Sequence, residues 1–194
     1  MSKIPTREEA FELLSQYTKT ESLIKHALSV EGVMRYFAEK HNEDVEKWGI
    51  IGLLHDLDYE MYPEQHCKKV VEILEEQDYD QSIIRGIVSH GYNICTDVEP
   101  EHFMEKVLYA TDELTGLVTA ASLLRPSKSV MDLEHSSLWK KYKNAKFAAG
   151  VDRKIIEDGC QMLNMELKFV IEEVIEAMKG ISDSIGLGME KNAD

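Results

Sequence analysis

Cysteine, proline and glycine are all scarce in this sequence, which contains 3, 4 and 11 of them among 194 residues. The three cysteines, Cys67, Cys95 and Cys160, are odd in number and form no CxxC pair, which argues against a disulfide framework and a zinc finger. Such cysteine usage favours a reducing compartment, and we expect a cytoplasmic protein. With 43% hydrophobic and 30% charged residues, the composition also excludes collagen-like, low-complexity and wholly disordered chains.

Long apolar runs and an excess of positive charge are missing as well. The longest apolar run, GIIGLL at 49–54, is far shorter than the ~20 residues needed to cross a bilayer, and the N-terminus has no apolar signal-peptide core. Acidic residues outnumber basic ones, 36 against 22, which gives a formal net charge of -14. Because such a surface repels phosphate backbones and anionic lipids, we expect no bulk nucleic-acid binding and no membrane association.

Strand-like alternation is not evident, whereas apolar residues recur at intervals of three and four along most of the chain. The sequence therefore predicts an all-α fold, with Thr6, Pro63, Asp80 and Pro100 marking helix starts. The amphipathic last helix either completes the core or forms the contact of a homodimer. The tail from Ile181 is expected to fray. The predicted helices cover about residues 6–17, 21–41, 43–56, 63–77, 81–90, 101–120, 138–147, 151–162 and 165–179.

Four of the seven histidines fall on the apolar stripes of these predicted helices. A single histidine on such a stripe is usually a core imidazole bonded to a backbone carbonyl. Four of them with two inward aspartates would be costly in a dry core, and one or two divalent metal ions would supply the missing charge and bonds. The candidate metal ligands are His26, His55, Asp56, His66, His90 and Asp112. Mixed imidazole and carboxylate ligands suit Fe, Mn, Co, Ni or Zn better than Ca, and Mg also stays open.

The order of these residues resembles a known signature. His26, then the pair His55-Asp56 in GLLHDLDYE, then Asp112 in YATDELTGL, is similar to the H...HD...D motif of the HD superfamily of metal-dependent phosphohydrolases. The resemblance covers about residues 20–120 and implies an all-helical HD bundle whose motif residues bind one metal ion. Relatives with two additional histidines hold a second ion, and His66 and His90 match those positions, with Asp56 bridging the two ions.

The chain also departs from the pattern of many relatives. The HDIGK continuation and the His-His pair are missing, since His90 is followed by Gly91, and so is the GYP hallmark of cyclic-dinucleotide phosphodiesterases. A cyclic dinucleotide is therefore not the expected substrate. We expect one domain over residues 1–194, made of an HD core at about 20–120, a C-terminal helical extension at about 121–180 and a frayed tail at 181–194.

The resemblance implies a cytoplasmic phosphohydrolase that uses a metal-activated water on a small nucleotide or another phosphoester. Asp56 would be the bridging catalytic ligand, and Asp58 or Glu60 could act as general acid or base, unless both are solvated residues at a helix end. Residues 125–154 carry eight basic and three acidic side chains, so Arg125 and Lys128 are candidates for clamping a substrate phosphate. The alternative is a basic surface paired with the protein's own acidic residues.

Two other functions fit the same ligands. Some HD proteins with four histidines and two aspartates hold a di-iron centre and oxidise their substrate with O₂, so oxygen dependence would separate this oxygenase from the hydrolase. A non-catalytic sensor or interaction domain with a structural metal would instead show metal-dependent thermal stability without turnover.

Overall fold

The computed structural model describes residues 2–189, and these residues form an all-α fold, as predicted. Within this range the backbone forms two isolated β-bridges, Lys3 with Tyr79 and Tyr92 with Thr96, and no strand. The helices are α1 (Arg7–Tyr17), α2 (Glu21–His41), α3 (Val45–Leu54), α4 (Lys69–Glu76), α5 (Gln81–Val88), α6 (Phe103–Leu123), α7 (His135–Tyr142), α8 (Arg153–Leu163) and α9 (Leu167–Gly180), with 3-10 turns at Pro63–Gln65 and Ser89–Gly91.

The pair of α2 and α3 forms the centre of the bundle. Their backbones approach closely at Gly52, where a Cβ atom would lie 2.9 Å from the Val30 carbonyl oxygen and 2.9 Å from the Met34 side chain. A larger residue at this position would push the helices apart. His26 lies one turn before Val30 on α2, and His55 follows directly after α3, so this contact sets the separation of the two histidines.

The long helix α6 packs against α2 on one side and α8 on the other. The contact with α8 is tight at Gly159, where a Cβ atom would lie 2.5 Å from the Cα atom of Ala110. The last helix, α9, packs against α2 and α6 and buries its apolar face within this chain, at Val170, Ile171 and Val174. The amphipathic last helix therefore completes the core, and a homodimer stays a prediction.

The predicted continuous helix over 63–77 is wrong, because the chain breaks between the 3-10 turn and α4. Cys67 adopts a left-handed backbone conformation, with φ at +64°, which ends the first turn. The Val70 amide then donates to Asp58 Oδ2 at 2.8 Å, so a distant carboxylate caps the first turn of α4. The break is thus stabilised by a tertiary hydrogen bond that helical periodicity cannot reveal.

The predicted helix over 138–147 is displaced as well, since α7 ends at Tyr142. The turns that follow are organised by the Arg153 guanidinium, which donates to the carbonyl oxygens of Tyr142, Phe147 and Val151. One of the positive charges in residues 125–154, that of Arg153, therefore stabilises this loop. A guanidinium group has five N–H donors, so it can bond several carbonyl oxygens at once.

The expected fraying of the tail is wrong for residues 181–189. Ile185 and Leu187 are 3% and 2% exposed, and the Leu187 carbonyl oxygen accepts hydrogen bonds from the Val130 amide at 3.0 Å and the Ser129 hydroxyl at 2.7 Å. Residues 190–194 of that prediction lie outside the described residues. Over the described range, none of the helices combines the length and hydropathy needed to cross a bilayer.

Candidate metal centre

Three of the predicted ligands meet where α2, α3 and α6 come together. His26 Nε2 lies 3.0 Å from Asp112 Oδ1, His55 Nε2 lies 3.3 Å from the same oxygen, and the two nitrogens are 3.2 Å apart. Ligands bonded to one ion at about 2.0–2.2 Å in tetrahedral or octahedral geometry are about 2.8–3.6 Å apart. The three atoms therefore have the spacing of neighbouring ligands on a single ion.

The other two histidines form a second group beside the first. His66 Nε2 and His90 Nε2 are 3.2 Å apart, and each lies 3.5 Å from Asp56 Oδ1. The other oxygen of that carboxylate, Oδ2, faces the first group, at 3.4 Å from His55 Nε2 and 3.7 Å from His26 Nε2. Asp56 thus presents one oxygen to each group, which is the arrangement of a carboxylate that bridges two ions.

The tautomers of the four histidines are set by oxygen atoms behind each ring. Backbone carbonyls and carboxylates only accept hydrogen bonds, so each Nδ1 carries the proton and each Nε2 presents a lone pair. The partners of the Nδ1 atoms are Gly52 O for His55 at 2.8 Å, Ile87 O for His90 at 2.5 Å, Asp58 Oδ1 for His66 at 2.7 Å, and Thr115 Oγ1 for His26 at 3.3 Å. The Thr115 hydroxyl donates to Asp112 O, so it is free to accept from His26.

The electrostatics of the site favour a bound cation. Burial works against ionisation, yet His55 and His90 hold the pKa of Asp56 well below its usual range, and His55 and His26 lower the pKa of Asp112. Although burial of His55 acts to lower its pKa, these carboxylates raise it above the ordinary value. In each histidine pair the two Nε2 atoms lie 3.2 Å apart. A divalent ion could take the place of the protons shared between these nitrogens and the two carboxylates, so the residues present fit the metal that the sequence predicts.

The two groups open into a cavity of about 330 Å³. Beyond the predicted ligands, the cavity is lined by Tyr59, Gly91, Ile94, Cys95, Glu113 and Gly116. A second, largely apolar cavity of about 550 Å³ shares His26 and Gly116 with it and contains Lys25. The site is therefore accessible from solvent and has room for a small molecule next to the ligands.

Asp58 lies behind His66 and not in the cavity. Its side chain has no exposure, and both of its oxygens are engaged, Oδ1 by His66 Nδ1 and Oδ2 by the Val70 amide. This position orients a ligand and leaves no oxygen for the predicted general acid or base role. Glu60 accepts from the Lys19 and Thr20 amides and from the Thr20 hydroxyl, so it ties the loop after the HD pair to the start of α2.

Arg125 and Lys128 are not brought to the cavity. They follow the C-terminal end of α6, and the helix rises by about 16 Å over the eleven steps from Asp112 to Leu123. Arg125 Nε instead donates to Asp132 Oδ1 at 2.7 Å, and Lys128 is exposed. Residues 125–154 do approach the cavity at Asp152, whose amide donates to Glu113 Oε2 at 3.2 Å.

Cys67 and Thr115 belong to the surroundings of the site, although the sequence analysis did not select them. The nitrogens of His66 and His90 and the sulfur of Cys67 all lie within 4.8 Å of one another. The only signals in the sequence were the position of Cys67 next to His66 and that of Thr115 three residues after Asp112, on the same helix face.

A comparison with protein families identifies the chain independently of this geometry. A family model described as HD domain matches residues 23–124, more than half of the chain and all six predicted ligands. Searches of curated proteins and of solved structures found no match. HD domains bind divalent metals, in agreement with the two ligand groups. The chain belongs to the HD domain family.

Proposed function

We propose that this protein is a metal-dependent phosphohydrolase that binds two divalent ions and hydrolyses a small phosphoester. The observation that carries the proposal is the convergence of four imidazole Nε2 lone pairs on two carboxylates, with one Asp56 oxygen facing each histidine pair. Membership of the HD domain family supports the same chemistry.

Each ligand has a place in this proposal. His26, His55 and Asp112 would hold the first ion, His66 and His90 would hold the second, and Asp56 would supply an oxygen to each. Ions bound in this way lower the pKa of a water ligand and neutralise charge on a phosphoryl group.

The residues behind the ligands keep them in the binding tautomer. Asp58 accepts a hydrogen bond from His66 Nδ1, and Thr115 accepts one from His26 Nδ1, so that both Nε2 atoms would be left with a lone pair for a metal ion. We therefore assign Asp58 a positioning role in place of proton transfer. Such partners usually change metal affinity by about 10–100-fold when they are removed.

The shape of the site favours a small substrate. The cavity of about 330 Å³ is at the lower end of the range for ligand pockets, about 300–1,000 Å³, and the adjoining apolar cavity would receive the organic part of the ester. Lys25 lines that second cavity and Lys68 lines another that shares Ile94 and Cys95 with the metal cavity. These two lysines lie nearer the ligands than Arg125 and Lys128 and are better placed to attract an anionic substrate.

The test combines metal analysis with activity. Protein purified without a chelating tag is assayed for metal content and for phosphate release from a panel of phosphoesters with added Mn²⁺, Co²⁺ or Mg²⁺. We expect two ions per chain and turnover that His55→Ala and Asp56→Ala abolish while the helical circular dichroism signal is retained. Turnover that survives either substitution would refute the proposal. Two irons with O₂ consumption and no phosphate release would favour the oxygenase instead.

A further inference from the structure

Two sulfur atoms lie beside the second histidine pair. A Cβ atom placed on Gly91, the residue after His90, would lie 2.4 Å from Cys95 Sγ and 2.5 Å from Cys67 Sγ. Both thiols therefore face the same point of the backbone and are near neighbours of each other. Cys67 is 2% exposed, and Cys95 is half-buried and lines the metal cavity.

The backbone at Cys67 is held in an unfavourable conformation. Its φ of +64° lies in the left-handed region, which residues other than glycine and asparagine seldom adopt. Asp58 fixes the chain on both sides of Cys67, by its hydrogen bonds to His66 Nδ1 and to the Val70 amide. A strained backbone of this kind persists where the surrounding contacts fix its conformation, and such positions are common at functional sites.

The position of the Cys67 sulfur suits a ligand. The sulfur and one ring nitrogen of each of His66 and His90 lie within 4.8 Å of one another. A thiolate and an imidazole on one ion, with bonds of about 2.3 and 2.1 Å, are at most about 4.4 Å apart. The Cys67 sulfur is therefore close to the range of a ligand that shares an ion with the two histidines.

We propose that Cys67 is a thiolate ligand of the second ion, so that this site has two imidazoles, one thiolate and the Asp56 oxygen. The inference rests on the proposed metal centre and adds a ligand to it. On metal binding the Cys67 thiol loses its proton to solvent, an S–metal bond forms, and no oxidant or reductant is needed. Cys95, next to it, would donate a hydrogen bond to the thiolate.

The thiolate would make the two sites chemically different. The first site has imidazole and carboxylate ligands only, whereas a soft sulfur ligand favours Zn²⁺, Co²⁺ or Fe²⁺ over Mg²⁺ and Mn²⁺ at the second. We therefore expect the second site to discriminate against Mg²⁺ and Mn²⁺ more strongly than the first.

Cobalt(II) tests this directly, since a thiolate bound to Co²⁺ gives a charge-transfer absorption in the near ultraviolet. The metal-free full-length chain is titrated with Co²⁺ without oxygen, in the presence of a phosphine reductant that keeps all three cysteines as thiols. We expect the absorption to appear as Co²⁺ fills the second site. It should be absent in Cys67→Ser, whose affinity for Co²⁺ at that site should fall at least tenfold.

Cys160→Ser is the matched control, because Cys160 is buried on α8 and lies outside both ligand groups. This variant should keep the absorption, and circular dichroism with retained binding of the first equivalent shows that Cys67→Ser is folded. The inference is overturned if two Co²⁺ bind without the absorption, or if the absorption survives in Cys67→Ser or is lost only in Cys95→Ser. In each of these cases the proposed two-ion centre still stands. Failure of the wild-type chain to bind any Co²⁺ would overturn the centre and the thiolate together.

Discussion

Replacing Asp58 by asparagine is the substitution that most sharply separates positioning from proton transfer. The asparagine carbonyl oxygen can still accept the Val70 amide, so the start of α4 keeps its cap. The amide group, however, now presents N–H donors to His66 Nδ1. The imidazole can accept that hydrogen bond only by moving its own proton to Nε2, which removes the lone pair that would bind the second ion.

The magnitude follows from the two hydrogen bonds that Asp58 makes. Loss of an orienting partner costs about 10–100-fold in metal affinity, or about 1.4–2.7 kcal/mol. Exchanging a charge-assisted bond for a neutral one costs about 1–1.5 kcal/mol of folding free energy. For a chain of this length, that loss lowers Tm by about 2–6 °C. The Asp58→Asn variant should therefore fold and still lose most of its affinity at the second site.

The assay is metal content after dialysis against the same free metal concentration, read together with thermal melting of the metal-free protein. We expect about one ion per chain in place of two, with turnover reduced in parallel. Asp183→Asn is the control, because Asp183 is an exposed aspartate on the C-terminal turns. If Asp58→Asn keeps two tightly bound ions and loses only its turnover, Asp58 transfers protons after all and our assignment is wrong.

Three further predictions address other parts of the molecule. Arg125→Ala and Lys128→Ala should leave KM unchanged for every phosphoester that is hydrolysed, because both residues follow the C-terminal end of α6, which lies about 16 Å from Asp112; a raised KM would support the phosphate clamp. Gly91→Ala should destabilise the protein by about 1–3 kcal/mol in urea melts, since its Cβ atom would overlap both sulfurs, and unchanged stability would contradict that packing. Burial raises the pKa of Tyr79 to about 12, so its contribution to stability is complete below pH ~10 and is lost as the pH rises towards 12. Tyr79→Phe should therefore flatten the alkaline loss of stability in melts between pH 9 and 12, and an identical pH dependence would exclude this contribution.

The sequence could predict the all-α fold and the inward position of candidate ligands such as His26 and His90, because both depend on local periodicity. Helical spacing of apolar residues places His26 with Val30 and His90 with Ile87 on inward faces, whatever the tertiary arrangement. The first two helices accordingly begin and end within a residue of the predicted bounds.

The errors all involve contacts between residues that are distant in the sequence. The break at Cys67 depends on hydrogen bonds that Asp58 accepts, and the packing of the tail depends on the hydrogen bond from the Val130 amide to the Leu187 carbonyl oxygen. The phosphate clamp was predicted from net charge, which gives no direction along α6, whereas the helix carries Arg125 away from Asp112. Charge composition and periodicity contain no information on any of these distances.

The two halves of the metal centre are built differently, and this difference explains why Asp58 is the informative position. The first group depends on regular helices, since α2 carries His26, α6 carries Asp112 and the backbone oxygen of Gly52 in α3 orients His55. The second group depends on a segment without regular secondary structure, because His66 and Cys67 lie between the 3-10 turn and α4. The buried Asp58 carboxylate stabilises this segment by two hydrogen bonds. Regular helices stay in place when one side chain changes, whereas a break held by two hydrogen bonds does not. A change at Asp58 is therefore expected to displace His66 in the second group and to leave the first group in its helical frame.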